Sequence, residues 1–169
     1  EAYMETDLYD LTVNYILENQ EKFYRLAYSY VKNKDNALDI VQNSICTALE
    51  KCYSIKNPCA IKTWLYRIIV NESLKHINKG KKESAMGDEM PEQTYIEPSF
   101  NADISAEEIL NAVESINEPF KTIIILHYYE DFTLKEISEI TKTNLSTVKT
   151  RLYSGLGKIK KILSQEVVI

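Results

Sequence analysis

"FTLKEISEITKTNLSTVKTRLY", residues 132–153, is the stretch whose reading decides the fold. In its first half Leu134, Ile137 and Ile140 recur three residues apart, which stacks them on one side of a short helix. A polar turn follows, and Asn144 or Thr143 can cap a second helix by accepting a free backbone N–H. At about 100° per residue, Leu145, Val148, Leu152, Leu156, Ile159 and Leu163 then form one inward stripe. Opposite it lie Ser146, Thr147, Thr150, Tyr153 and Ser154, with Lys149 and Arg151 on the flanks.

A short helix, a tight turn and a longer helix with a small polar face between two cations is what a helix-turn-helix requires. Small side chains let the second helix enter the major groove of DNA, and flanking cations reach the phosphates on its walls. The same pattern also fits a three-helix bundle whose solvent face is polar. Lys142 occupies a turn position where many such motifs use glycine, and Gly155 and Gly157 each weaken the helix by about 1 kcal/mol relative to alanine. They allow a bend after Ser154.

Working outward, almost the whole chain of 169 residues reads as helix: four glycines, four prolines and apolar recurrences of three and four. The spacing predicts helices at 6–18, 21–31, 35–53, 60–78, 106–116, 119–130, 134–140 and 145–163, and no strand. Between 82 and 101 the periodicity fades and acids gather with Gly87, Pro91 and Pro98, the composition of a flexible linker. The expected fold is therefore all-α. A helical domain at 1–82 and a helix-turn-helix domain at 106–169 are joined by an acidic linker at 83–105.

The net charge of −5 hides a strong segregation. Residues 51–82 carry eight bases and the single acid Glu72, and residues 133–169 carry seven bases and three acids, while every other segment is acidic. Two basic islands imply two places that meet an anion, with flanks that repel one. Cys46, Cys52 and Cys59 are too few and too irregular for a disulfide framework or a zinc site, and fit a reducing cytosol. The longest apolar runs, such as 123–126, fall short of the roughly 20 residues that span a bilayer. The N-terminal residues show no signal-peptide pattern, and Met4 is a candidate native start. His76 and His127, the only histidines, lack a carboxylate and nucleophile arrangement, and neither a phosphate-binding glycine loop nor metal-ligand spacing occurs. An enzyme, a cofactor and a metal are not expected.

In the first island Trp64, Arg67, Asn71, Lys75, Asn78 and Lys82 fall on one helical seam, beside a first half that is apolar nearly all round. Cations that follow a backbone, amides that bond base edges and an indole that stacks on an unpaired base suit nucleic acid. Core packing of Trp64 and a solvated helix end at Lys79, Lys81 and Lys82 are the plainer alternatives. Upstream, Leu38, Val41, Ile45, Ala48 and Leu49 point inward, leaving Asp39, Gln42, Asn43, Cys46 and Glu50 outward. That face does not attract DNA; it is either solvated or docks on a protein.

"FYRLAYSYVKNKDNALDIVQNS" and "KTWLYRIIVNESLKHI", followed in order by "PFKTIIILHYYEDFTLKEISEITKTNLSTVKTRLY", resemble the two domains of the extracytoplasmic-function sigma factors of bacterial RNA polymerase. The resemblance runs over about residues 20–163. It implies a cytoplasmic transcription initiation factor that binds core polymerase, with Asp39, Gln42 and Asn43 docking on the clamp coiled coil of the largest subunit. It also implies that the loop with Lys56 and Asn57, together with Lys62, Trp64, Arg67, Asn71 and Lys75, holds the melted minus-ten element. Ser146, Thr147, Lys149, Thr150 and Tyr153 would then lie near the bases of the minus-thirty-five element, and Arg151 and Lys158 near its phosphates. A membrane-anchored anti-sigma factor and a role in cell-envelope stress are further implications. Asn43, Ile61 and Ser154 stand where the family often has Glu, Phe and Arg. The rival expectation is a helix-turn-helix repressor or activator that acts without polymerase.

Overall fold

The computed structural model of the protein describes residues 2–79 and 104–166, and the side chains of 8–79 and 104–165. Most of the expected linker, 83–103, lies outside the described residues, as do Lys81 and Lys82. The chain divides into two compact units, in which the described residues form three and four α-helices. No strand occurs among the described residues.

The first unit packs α1 (Ala2–Val31), α2 (Lys34–Lys51) and α3 (Ile61–Asn78) against one another. The two helices expected at 6–18 and 21–31 are one. The tract 18–21 is polar but holds neither glycine nor proline, and Asn19 Nδ2 donates to the Tyr15 carbonyl at 2.8 Å, inside the helix. Polarity there marks a solvent face and not a break. α1 ends where Lys32 turns left-handed, at φ 49°. Asn33 then caps α2, its side chain accepting the Asn36 N–H at 2.9 Å.

The core is Phe23, Leu26 and Ala27 from α1, Ala37, Ile40 and Ala48 from α2, and Leu65, Tyr66, Ile69 and Val70 from α3. Phe23 meets Tyr66 edge to face, with ring centroids 5.3 Å apart, the arrangement that aromatic quadrupoles favour. Leu38, expected inside, is 40% exposed. The buried stripe of α2 runs through Ala37, Ile40, Val41, Ser44 and Ala48, because two small alanines let the helix approach its neighbours on that side. Leu38 is thereby rotated outward, next to Asp39 and Gln42.

The second unit comprises α4 (Ala106–Ser115), α5 (Phe120–Ile124), α6 (Leu134–Thr141) and α7 (Leu145–Glu166). Ser105 and Glu108 form a reciprocal capping box at α4, and the Ser105 hydrogen bonds hold the Glu108 carboxyl below its ordinary range. The single helix expected at 119–130 instead widens after Ile124 into a π-turn, Ile125–Tyr129. There the Glu130 N–H reaches the Ile125 carbonyl at 3.1 Å and the Phe132 N–H reaches Leu126 at 3.0 Å. His127 Nδ1 lies 2.8 Å from the Phe132 carbonyl, tying the turn to buried Phe132. Apolar spacing alone does not distinguish this closure from an ordinary helical one. At the start of α5, Glu118 Oε2 accepts the Thr122 N–H and hydroxyl at 3.2 and 2.5 Å, while burial pushes the carboxyl up from its ordinary value.

α7 runs unbroken through both glycines to Glu166. A Cβ on Gly155 would come 2.7 Å from Ile124 Cδ1 and 3.3 Å from Phe120 Cβ, whereas one on Gly157 would meet nothing within 4 Å. Gly155 is thus where α5 crosses α7 closely, and Gly157 carries only the entropic weakness of a glycine in a helix. Gly157→Ala is expected to raise stability by about 0.5–1 kcal/mol, and Gly155→Leu to lower it by about 1–3 kcal/mol through overpacking. Urea unfolding followed by circular dichroism at the helical band measures both.

Candidate nucleic-acid interface

The helix-turn-helix is assembled from local hydrogen bonds that its own sequence supplies. Thr133 opens α6 with a capping box: Glu136 Oε2 accepts the Thr133 N–H at 2.8 Å, and Thr133 Oγ1 accepts the Glu136 N–H at 3.2 Å. Ile137 and Ile140 are buried against the unit's core and Leu134 is half-buried. α6 ends at Lys142, which is left-handed at φ 51° and ψ 40° and whose N–H donates to the Ser138 carbonyl. The Thr143 N–H donates to that carbonyl at 3.2 Å, Ser138 Oγ donates to the Thr143 carbonyl at 2.6 Å, and Thr143 Oγ1 donates to the Thr141 carbonyl at 3.2 Å. Of the two expected caps Asn144 is the one used, its Oδ1 accepting the Thr147 N–H at 2.8 Å.

Val148, Leu152, Leu156, Ile159 and Leu163 of α7 are buried as the stripe requires. Leu145 is not; at the first position of the helix it is 39% exposed. Ser146 and Lys149 are exposed, and Thr147, Thr150, Arg151 and Tyr153 are half-buried. The first turns of α7 thus gather all six on one accessible end. Thr150 Oγ1 donates to the Ser146 carbonyl at 3.0 Å. Lys158 stands apart, about 10 Å beyond Arg151 along the axis. Its Nζ lies 5.0 Å from the centre of the Phe120 ring, a cation–π contact that holds it toward α5.

In the first unit the loop between α2 and α3 is a pair of 3-10 turns, Cys52–Ser54 and Pro58–Ala60. Buried Ile55 anchors it, and Lys56 and Asn57 are exposed. Asn57 Oδ1 accepts the Cys59 N–H at 3.0 Å, so this side chain shapes the loop. The Asn-Pro pair at 57–58 carries the signal for that role, since Asn favours such local bonds and proline starts such a turn. On α3, Lys62, Trp64 and Arg67 are half-buried, whereas Asn71, Lys75 and Asn78 are exposed. Trp64 therefore packs with part of its indole and leaves part accessible. Lys75 Nζ lies 4.0 Å from Glu72 Oε1, with the lysine side chain 67% exposed, an ion pair of little strength in water. On α2, Asp39, Gln42 and Asn43 are exposed together with Cys46 and Glu50.

Sequence reasoning missed Ser138 and the turn-locking role of Thr143, which it offered only as a cap, and the Phe120 ring beneath Lys158. The first two had a local cue in their hydroxyls beside a turn. Phe120 had none, because its contact is made across helices. Among the described residues no group of three or more His, Cys, Asp or Glu side chains could hold a metal ion. None of the described helices is long and apolar enough to cross a membrane.

Residues 15–83 match the family described as Sigma-70 region 2, and residues 106–159 match Sigma-70, region 4. The chain is 42% identical over 156 residues to the RNA polymerase sigma factor SigV of Bacillus subtilis, covering 92% of this chain and 93% of that protein. It is 28% identical to the ECF RNA polymerase sigma factor SigW of the same organism, over 85% of this chain and 84% of that one. Among solved structures it resembles the sigma factor RpoE in complex with the anti-sigma factor NepR from Bartonella quintana. That likeness has a TM-score of 0.68 at 21% identity, covering 89% of this chain and 95% of that one. It also resembles CnrH in complex with the cytosolic domain of CnrY, at a TM-score of 0.66 and 12% identity over 91% and 88% of the two chains. A helix-turn-helix preceded by a basic seam is compatible with many DNA-binding proteins. Two family regions in this order, with a relative matched over nearly its full length, narrow it to one: the chain belongs to the extracytoplasmic-function sigma factors of RNA polymerase.

Proposed function

We propose that this sigma factor binds core RNA polymerase and directs it to promoters with two elements, reading the minus-thirty-five duplex with α7 and the melted minus-ten strand with α3 and the loop before it. The carrying observation is the first turns of α7: a capped helix end where Ser146, Thr147 and Thr150 sit between Lys149 and Arg151. That end is narrow enough for a major groove and charged at its margins. Residues 106–169 form the minus-thirty-five reader, residues 1–82 the polymerase-docking and minus-ten part, and 83–105 the tether between them. Lys56, Lys62, Trp64, Arg67, Asn71 and Lys75 hold the unpaired strand, and capture of an extruded base helps offset the few kcal/mol of unstacking. The outward face with Asp39, Gln42 and Asn43 docks on the clamp coiled coil of the largest polymerase subunit. Asn57 contributes by holding the loop in shape.

The net charge of −5 supports a factor that depends on its polymerase. Phosphate attraction is screened over about 8 Å in physiological salt, so two small basic surfaces amid acids grip free DNA weakly. Fixed on one enzyme, two weak readers act at high effective concentration, and promoters with both elements correctly spaced are favoured. The solved relatives are held by an anti-sigma factor or by the cytosolic part of another protein. Their partners support an anti-sigma protein as the silencer of this chain too; a membrane anchor on that protein, and release of a cytoplasmic factor under cell-envelope stress, complete the reading we propose.

Run-off transcription with purified core polymerase tests the proposal. Addition of the chain should stimulate initiation from selected promoters, and stimulation should vanish when either element is scrambled. Tight binding to a palindromic operator without stimulation would instead establish the repressor reading.

A further inference from the structure

We infer that Lys142 is a phosphate-binding residue of the helix-turn-helix, reaching the DNA strand beside which α7 enters the groove. The backbone there is left-handed, φ 51° and ψ 40°, a conformation that glycine adopts freely and a lysine does not. The turn holds that conformation through the hydrogen bonds of Ser138 and Thr143. The side chain is exposed, and among the described residues its ammonium makes no hydrogen bond or ion pair. Lys158 differs in lying over Phe120, and Lys75 in lying near Glu72.

Position gives Lys142 its target. It stands two residues before the Asn144 cap, hence within about 7 Å of the head of α7. The N-terminal residues of a recognition helix are the ones that enter the groove. A lysine that close to them can reach the phosphates at the groove's edge. A cation at the C-terminal end of α6 is also favoured by that helix's dipole, so the test must separate a stabilising role from a DNA-binding one. A helix-dipole role alone predicts that replacement by glycine leaves DNA affinity and its salt slope unchanged, whereas a phosphate contact predicts that both fall even where relief of the left-handed backbone stabilises the fold.

The inference rests on the promoter-reading proposal. Holoenzyme is assembled from core polymerase with the wild-type chain, Lys142→Gly, Lys142→Asn or Lys142→Arg. Each is titrated over a range of salt on a promoter with an intact or scrambled minus-thirty-five element. Lys142→Gly should raise the melting midpoint of the chain by about 4 °C. It should nevertheless weaken promoter binding about 5- to 10-fold and reduce the slope of log affinity against log salt by about one. Lys142→Asn, which tolerates the same backbone, should lose affinity equally, and Lys142→Arg should retain it. Unchanged affinity and slope in the glycine and asparagine variants, with the wild type still dependent on the element, would overturn the inference alone. A wild-type holoenzyme indifferent to the element would remove the promoter-reading proposal and the inference together.

Discussion

Phe23→Ala is expected to cost the first unit about 3–5 kcal/mol, the range for deleting a buried phenylalanine side chain. Phe23 is 1% exposed and its ring edge meets Tyr66, itself 1% exposed, so the truncation leaves a void that helices α1 and α3 must bridge. Total stabilities of small domains are about 5–15 kcal/mol, and the loss would consume much of that margin. Trp64 is the only tryptophan of the chain and lies on α3. Its fluorescence during urea unfolding reports this unit, and the midpoint should fall sharply. A midpoint within error of the wild type would mean that the Phe23–Tyr66 contact is not a keystone of the unit.

The second large effect concerns DNA. Lys149→Ala combined with Arg151→Ala removes both flanking cations from the end of α7 proposed to read the duplex, and the helix keeps its buried stripe. Hydrogen bonds to charged groups contribute about 1.5–3 kcal/mol each. Losing two should therefore weaken minus-thirty-five engagement by holoenzyme about 100-fold, and the salt slope should fall by about two. Circular dichroism should remain that of the wild type, because neither side chain is part of the core. Retention of full affinity, or a loss that does not vary with salt, would show that the duplex is held elsewhere.

Much of this architecture was legible because helices are local. The stripe from Val148 to Leu163, the Asn144 cap and the turn before it follow from residues close in sequence, and the structure uses them as their chemistry dictates. The departures are of another kind. Which way α2 faces depended on where Ala37 and Ala48 let it approach α1 and α3, so Leu38 turned outward while Ile40 went in. A polar tract in α1 looked like a boundary although its backbone had no reason to break. The π-turn depends on where buried Phe132 returns to Leu126, information that apolar spacing does not carry. Among the site residues, local reading identified Lys149 and Arg151 as flanking cations. It could not foresee that Phe120 would draw Lys158 toward another helix.

One of these local bonds would restrict what α7 distinguishes in the promoter reading proposed above. While its hydroxyl donates to the Ser146 carbonyl, the Thr150 side chain offers a facing base only lone pairs and a methyl group. Guanine's major-groove edge presents acceptors alone, whereas adenine and cytosine present amino hydrogens and thymine a methyl group. In that state the guanine half of a pair would be the poorest fit opposite Thr150, and the cytosine half of the same pair, with its amino hydrogens, a better one.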